Sequence, residues 1–308
     1  MTQRRPLHAW ASDHFTLELP ENHPFPLPKY RLTRERLLAE GILKAAHVSL
    51  SEPAPLEWLL AAHDAGYVQR TLSGDWTAAE IRKLGLPWSQ GLVQRARAAV
   101  YGTVMAAHAA LEHGIAGNLA GGTHHAFHDR GEAYCLFNDI AIAIVMLRRQ
   151  SRALRPFVLD LDVHQGNGTA AMFADDPSVF TFSMHARHNY PLQKETSTLD
   201  IELDDAAGAA AVLAALDAHA PAALDTHRPD LVLYQAGVDA LHTDRLGRLR
   251  MTHAGLAERD RRVFAWAHER GLPVVVTLGG GYGRPIETTV EASVNVWRAA
   301  REALARRA

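Results

Sequence analysis

Short apolar runs rich in Val, Leu, Ile and Phe recur along the chain and stop abruptly in polar or glycine-rich sequence. They are PFVLDLDVH (156–164), SVFTFSMH (178–185), DLVLYQAGVD (230–239) and LPVVVTLGGGY (272–282). Each is too short for a helix and nearly continuous in its apolar character, the pattern of a strand buried on both faces of a parallel sheet. Between them, alanine-rich stretches with helical spacing cover 92–113, 138–150, 208–224, 254–270 and 286–306. The alternation of strand and helix predicts an α/β fold around a central parallel sheet. Residues 70–90 read as mixed helix and loop, and 186–200 (ARHNYPLQKETSTLD) lacks periodicity, as a functional loop would.

Composition narrows the picture. With 308 residues, 47% of them hydrophobic and 21% charged, the chain can bury a large core. It contains no Pro/Gly/Ser-rich linker or repeat, so one domain spanning 1–308 is expected. A formal net charge of −2 supplies no global field for nucleic acid or an anionic membrane, and neither is expected as a partner. The single cysteine, Cys135, excludes an intrachain disulfide framework and fits a reducing compartment; it reads as a small buried hydrophobe. The opening MTQRRPLHAWASDHF lacks an apolar signal core, and no later run approaches the roughly 20 apolar residues of a membrane span. A soluble cytoplasmic protein is expected. Of 18 histidines, His108, His219 and His268 lie in polar helical contexts and are expected to face solvent.

The chemistry concentrates where the apolar runs end. In open α/β sheets ligands collect beyond the carboxyl ends of the strands, where loops converge. There lie His124 and His125 in GGTHHAF (121–127), Asp162 and His164 at the end of VLDLDVH, Asp239 at the end of LVLYQAGVD, and Tyr282 after LGGG. On an extended backbone, Asp162 and His164 share one face. With Asp239 they form a set of two carboxylates and one imidazole that leaves a coordination position open, the pattern of a catalytic rather than a structural metal. Zinc suits such a distorted N/O site, and iron(II) or cobalt(II) would be held by the same ligands. Taken singly, each piece has a plainer reading: D-x-H can be a cap beside a satisfied histidine, GGGY a tight turn, and the paired histidines a loop cross-link. Their joint occurrence at successive strand ends favours a site.

Six ordered stretches carry a resemblance to the histone deacetylase family, of the bacterial kind closest to its class IV branch. They are HPFPLPKY (23–30), GGTHHAFHDRGEAYCLFNDIAIA (121–143), VLDLDVHQGNGTA (158–170), FSMHARHNYP (182–191), QAGVDALHTDRLGRLRMT (235–252) and LGGGYGRP (278–285). The resemblance implies the arginase/deacetylase fold, a single α/β domain with a mainly parallel eight-stranded sheet flanked by helices. It implies that Asp162, His164 and Asp239 bind one zinc. It makes His124 and His125 a catalytic dyad, with His125 as general base and then acid, and with His124 hydrogen-bonded to Asp160. Tyr282 becomes the hydrogen-bond donor to the oxyanion formed when metal-activated water attacks an amide.

Where many members of the family place an aspartate beside the second dyad histidine, this chain has Asn167. Tyr134 matches a channel aromatic; Tyr190, from the aperiodic loop, and Gly280 complete the expected substrate channel. A structural potassium ion is implied at Asp160 with Ser183, Met184 and the backbone near Asp162 and His164. The implied substrate is an acylated lysine in a peptide or protein, or a similar acylated small amine such as an acetylpolyamine. A dimanganese ureohydrolase fits less well, because Asp162-Val163-His164 continues into Gln165-Gly166 and Asp239 into Ala240-Leu241, without the extra carboxylates of a two-metal site. A non-catalytic acyl-lysine binding domain would be signalled by loss of a ligand, a dyad histidine or the tyrosine, and all are present.

Overall fold

The computed structural model describes residues 5–152 and 155–306. Eight strands make one sheet: β1 (His8–Ala11), β2 (Val48–Leu50), β3 (Ile115–Asn118), β4 (Pro156–Asp160), β5 (Phe180–Ala186), β6 (Leu199–Leu203), β7 (Leu231–Gln235) and β8 (Val274–Thr277). Their spatial order is β2-β1-β3-β8-β7-β4-β5-β6, and every pairing is parallel.

The continuous apolar runs follow from burial on both faces. Along β4, β7 and β8 every residue is buried. Their side chains alternate between two cores as the pleat requires. Phe157, Leu159, Val232, Tyr234, Val274 and Val276 join one apolar cluster, while Val158, Leu231, Leu233 and Val275 join the other. The first core is closed by α1 (Pro28–Ala39), α8 (Ala209–His227), α9 (His253–Glu269) and α10 (Ile286–Arg306). The second is closed by α5 (Gln90–His113) and α6 (Asp139–Arg149), with shorter helices α2 (Leu56–Leu59), α3 (Ala65–Ser73) and α4 (Ala78–Leu84) outside them. A further short helix, α7 (Asn167–Met172), follows β4. No helix among the described residues is long and apolar enough to cross a membrane.

Differences from the sequence expectations are local. β4 ends at Asp160, so Asp162 and His164 sit in a bend beyond the strand rather than on an extended run. Leu161 N–H still donates to the Gln235 carbonyl at 3.1 Å, but the ladder stops there and the chain curls toward the neighbouring strand ends. The last residues of the supposed loop 186–200 belong to β6. Strands β1 and β2, at four and three residues, are too short to register as apolar runs. His219 is exposed as expected, whereas His108 and His268 are only partly so; His108 packs against Arg152 across the α5 face.

Beneath the loops after β4 and β7 lies a buried Arg259, whose guanidinium donates to the carbonyls of Leu161 (3.2 Å) and Gly237 (2.7 Å). Asp260, 2.8 Å away, balances its charge, and Tyr234 donates its hydroxyl to the same carboxylate at 2.6 Å. This charge-assisted clamp fixes the two loops that carry Asp162 and Asp239 relative to one another.

Candidate metal centre and its histidine pair

The loop after β3 is built to present two imidazoles. Gly121 and Gly122 both have left-handed φ angles, 75° and 76°. A Cβ on Gly122 would run into the Gln235 side-chain amide, so another residue here would have to displace that buried side chain as well as adopt a left-handed backbone. Asp139, at the start of α6, gathers the Gly122 and Thr123 N–H groups at 3.0 and 2.7 Å and the Thr123 hydroxyl at 2.6 Å. The chain thereby leaves the sheet with His124 and His125 buried and their rings 4.1 Å apart.

Asp162, His164 and Asp239 do come together. One ligand atom from each lies within 4.8 Å of the others, and among the described residues they are the one such cluster of His, Cys, Asp or Glu side chains. His164 Nδ1 is 3.0 Å from Asp162 Oδ1 and 3.2 Å from Asp239 Oδ2. The second oxygens are anchored by backbone: Gly280 N–H donates to Asp162 Oδ2 at 2.7 Å, and Val163 N–H to Asp239 Oδ1 at 2.9 Å. Burial, joined by the negative charge of Asp162, pushes the Asp239 carboxyl up to about 7. Burial opposes charge on His164 too, but hydrogen bonds and attraction from the two carboxylates overcome it and raise the imidazole to about 10. Two carboxylates facing one imidazole nitrogen in a buried site form a cluster that could hold a cation. The donor set, two hard oxygens and one nitrogen, fits zinc or iron(II).

The two histidines are oriented by different partners at Nδ1. His124 Nδ1–H donates to Asp160 at 2.6 Å, and His125 Nδ1–H donates to the Asn167 side-chain oxygen at 2.6 Å. Both Nε2 atoms are left unanchored by these bonds. Burial disfavours the imidazolium of His124, yet Asp160 and Asp162 outweigh it and hold the group up at about 9. His125 has no carboxylate at bonding distance; burial first, then the positive charges of His124 and His164, push it well below the usual histidine range. The surroundings thus favour the charged form of His124 and the neutral form of His125.

A pocket reaches from these groups to the surface. His124, His125, Asp162, His164, Asp239, Gly280, Tyr134 and Tyr282 all line its inner part. Tyr282 follows the glycine-rich turn after β8, its N–H bound to Asp244 at 2.6 Å. Burial, with nearby Tyr30, Asp162 and Asp239, raises its hydroxyl pKa well above the usual value, so the group stays a donor. A Cβ on Gly280 would strike the Asp239 carboxylate, which explains glycine at this lining position. Tyr134 adopts a left-handed φ of 70°, uncommon for a non-glycine residue. Its N–H bonds to the Leu84 carbonyl at 2.6 Å, and its ring stands 5.9 Å from that of Tyr282. Tyr190 packs edge-on against His125 at 5.0 Å. Ser183 is the register partner of Asp160 across β4 and β5, and both are buried beside Met184. Cys135 is buried, which pushes its thiol pKa up and leaves it unreactive.

Four further residues shape the site without a signal in the apolar pattern. Lys29 is buried and donates to the carbonyls of Gly279 (2.9 Å) and Gly281 (3.4 Å), holding the turn that carries Tyr282. Asp244 and Asp139 gather backbone N–H groups as described. Glu132 accepts the Tyr190 hydroxyl at 2.6 Å and pairs with Lys83 at 2.5 Å and Arg130 at 2.7 Å. All four fall inside the six family-like stretches, but most of their partners are distant in sequence.

Comparison with known proteins gives the family and the fold. The histone deacetylase domain matches residues 23–299. An uncharacterised protein of Picosynechococcus is 44% identical over 288 residues, covering 94% of this chain and 96% of its own. Histone deacetylase 2 of Arabidopsis thaliana is 33% identical over 271 residues, covering 84% of this chain and 70% of its own. A crystal structure of an HDAC homolog complexed with SAHA superposes with a TM-score of 0.84 at 23% identity, covering 97% of this chain and 84% of that one. The fold is that of the arginase/deacetylase structures. The chain belongs to the histone deacetylase family.

Proposed function

We propose that residues 1–308 act as one catalytic domain, a zinc-dependent amidohydrolase that removes an acyl group from a lysine side chain or a similar amine. The observation that carries this reading is the convergence on one pocket of a three-residue cluster that could hold a cation, two buried histidines with different hydrogen-bond partners, and a buried tyrosine. Asp162, His164 and Asp239 would hold the ion, which supplies Lewis acidity toward water and the amide carbonyl. His125 takes the proton of the attacking water at Nε2 and returns it to the amine nitrogen as the C–N bond breaks. His124, kept protonated by Asp160, stabilises negative charge developing beside it. Tyr282 donates its hydroxyl proton in a hydrogen bond to the oxygen of the tetrahedral centre. Tyr134 and Tyr190 line the path of the acyl arm, and Gly280 leaves room beside it. A potassium ion held by Asp160, Ser183 and backbone groups near Asp162, His164 and Met184 belongs to the same proposal, by family resemblance.

The reading is tested by assaying the purified zinc-loaded chain, and a chelator-stripped sample, against acetyl-lysine peptides; hydrolysis only in the first is expected. Two residue-level outcomes follow. Tyr282→Phe should lower turnover by roughly 10²- to 10³-fold, in line with loss of one oxyanion donor. Unchanged turnover in a folded, zinc-loaded variant removes that role. Asn167→Asp replaces a neutral partner of His125 with an anion and so raises the pKa of the imidazole. A base works in its neutral form, so activity falls as pH drops through that pKa. The acidic limb of the kcat/KM profile should therefore move to higher pH, and a limb that stays in place contradicts the pairing.

A further inference from the structure

The outer mouth of the pocket is basic. Among the described residues lining it, Arg82, Lys83, His188 and Arg248 can carry positive charge, and none is an aspartate or glutamate. The same mouth reaches His125, His164 and Tyr282, so it is the entrance to the site already described. The protein as a whole is formally −2, so this concentration runs against its average.

The carboxylates nearest the rim are already paired. Glu132 is buried and divides its charge between Lys83 and Arg130, and Asp129 is paired with Arg130. The exposed Asp205 is bonded by both Arg248 and His188, at 2.9 and 3.3 Å. Arg82 is exposed and has no carboxylate partner among the described residues. Nearby, Arg245 spends its hydrogen bonds on the carbonyls of Tyr282 (3.1 Å) and Pro24 (3.2 Å), which leave its charge uncompensated.

We infer that the substrate is an acylated amine carrying carboxylate charge next to the acyl arm, such as acyl-lysine in an acidic context, and that cationic acylpolyamines are rejected. This rests on the deacylase reading and names its substrate class. An amide arm that enters between Tyr134 and Tyr190 leaves the remainder of its molecule at the rim. Ammonium groups there meet like charges, whereas carboxylates meet the unpaired guanidinium of Arg82, with that of Arg245 nearby. A focused field of this kind changes association rates by about 10- to 10³-fold.

The test uses the zinc-loaded full chain and acetyl-lysine peptides identical except for flanking Glu, Ser or Lys. A peptide ending in acetyl-lysine with a free or amidated carboxylate, and a monoacetylated diamine, complete the panel. The expected result is a kcat/KM higher by about tenfold or more for Glu-flanked or free-carboxylate substrates than for Lys-flanked peptides or the diamine. The preference should shrink as salt is raised and be lost or inverted in an Arg82→Glu/Arg248→Glu variant. A response to the free carboxylate alone assigns recognition to the lysine's own carboxylate; a response to Glu flanks assigns it to neighbouring acidic residues, and either supports the inference. Hydrolysis without acidic preference, or a preference unmoved by the double variant, overturns this inference alone. Absence of hydrolysis across the panel overturns the deacylase reading and this inference with it.

Discussion

An Asp239→Ala variant should fold, fail to retain a divalent ion and lose activity by three decades or more. Asp239 is fully buried and supplies one of two carboxylates to the candidate cation site. Without it, Asp162 and His164 remain, and the attraction for a doubly charged ion falls while its coordination drops to two protein ligands. A Lewis acid in such a site is worth several kcal/mol, and about 1.4 kcal/mol corresponds to tenfold in rate. The fold should tolerate the change, because Asp239 lies in the loop beyond β7 and takes no part in the strand pairing. The Val163 N–H does lose its acceptor, at a cost of about 1–3 kcal/mol. Metal content by elemental analysis and the response of the melting temperature to chelator separate the two effects. Chelator should lower the Tm of the wild type, since an ion bound only to the native state stabilises it by mass action, and should leave the variant unmoved. One retained ion per chain with wild-type turnover contradicts the ligand assignment.

A second large loss is expected at His125. Its alanine variant should keep its metal and lose about 10²- to 10⁴-fold in kcat, the usual contribution of a positioned acid/base group. The reason lies in the asymmetry of the pair. His124 is bonded to a carboxylate, which favours its charged form, while His125 is bonded to an amide and its burial favours the neutral form. A base acts in its neutral form, which is why the proposed base is His125. The variant should also lose the acidic limb of the wild-type pH profile, a signature that mere loosening of the pocket would not produce. A His125→Ala protein with the limb intact would shift the base elsewhere.

Much of this site is legible in the amino-acid sequence because the chemistry sits at strand ends, and strand ends are marked by where apolar runs stop. PFVLD and LVLYQ are buried on both faces and advertise themselves as strands; the polar residues just beyond them are the candidate ligands. The helical stretches 92–113 and 286–306 fall within two residues of α5 and α10, since long amphipathic stretches carry their period many times over. β1, β2 and β6 are not legible. They occupy the two outer regions of the sheet, and three to five residues give too few alternations to distinguish strand from loop. The Asp162-Val163-His164 spacing suggests an extended pair, and the true arrangement is a bend. The two side chains meet because Gly280 N–H and the Arg259 clamp hold the loops, contacts made by residues far away in sequence.

The supporting residues are hidden for the same reason. Lys29 lies about 250 positions from the glycine turn it bonds. Glu132 is 58 positions from Tyr190, and its role appears only once the loop after β5 folds over the pocket. Tyr134 is legible through its family motif, but the left-handed backbone that aims it is not, since Ala133 and Tyr134 are not residues that signal such a conformation.

All of the proposed chemistry depends on a single catalytic divalent ion held by Asp162, His164 and Asp239. The decisive experiment is to titrate zinc into chelator-stripped protein, follow acetyl-lysine hydrolysis throughout, and locate the ion by anomalous diffraction at the zinc edge. Activity should rise in proportion to occupancy and saturate at one ion per chain, with the anomalous peak between those three side chains. Full activity in the stripped protein, or a peak elsewhere that tracks activity, would contradict the assignment.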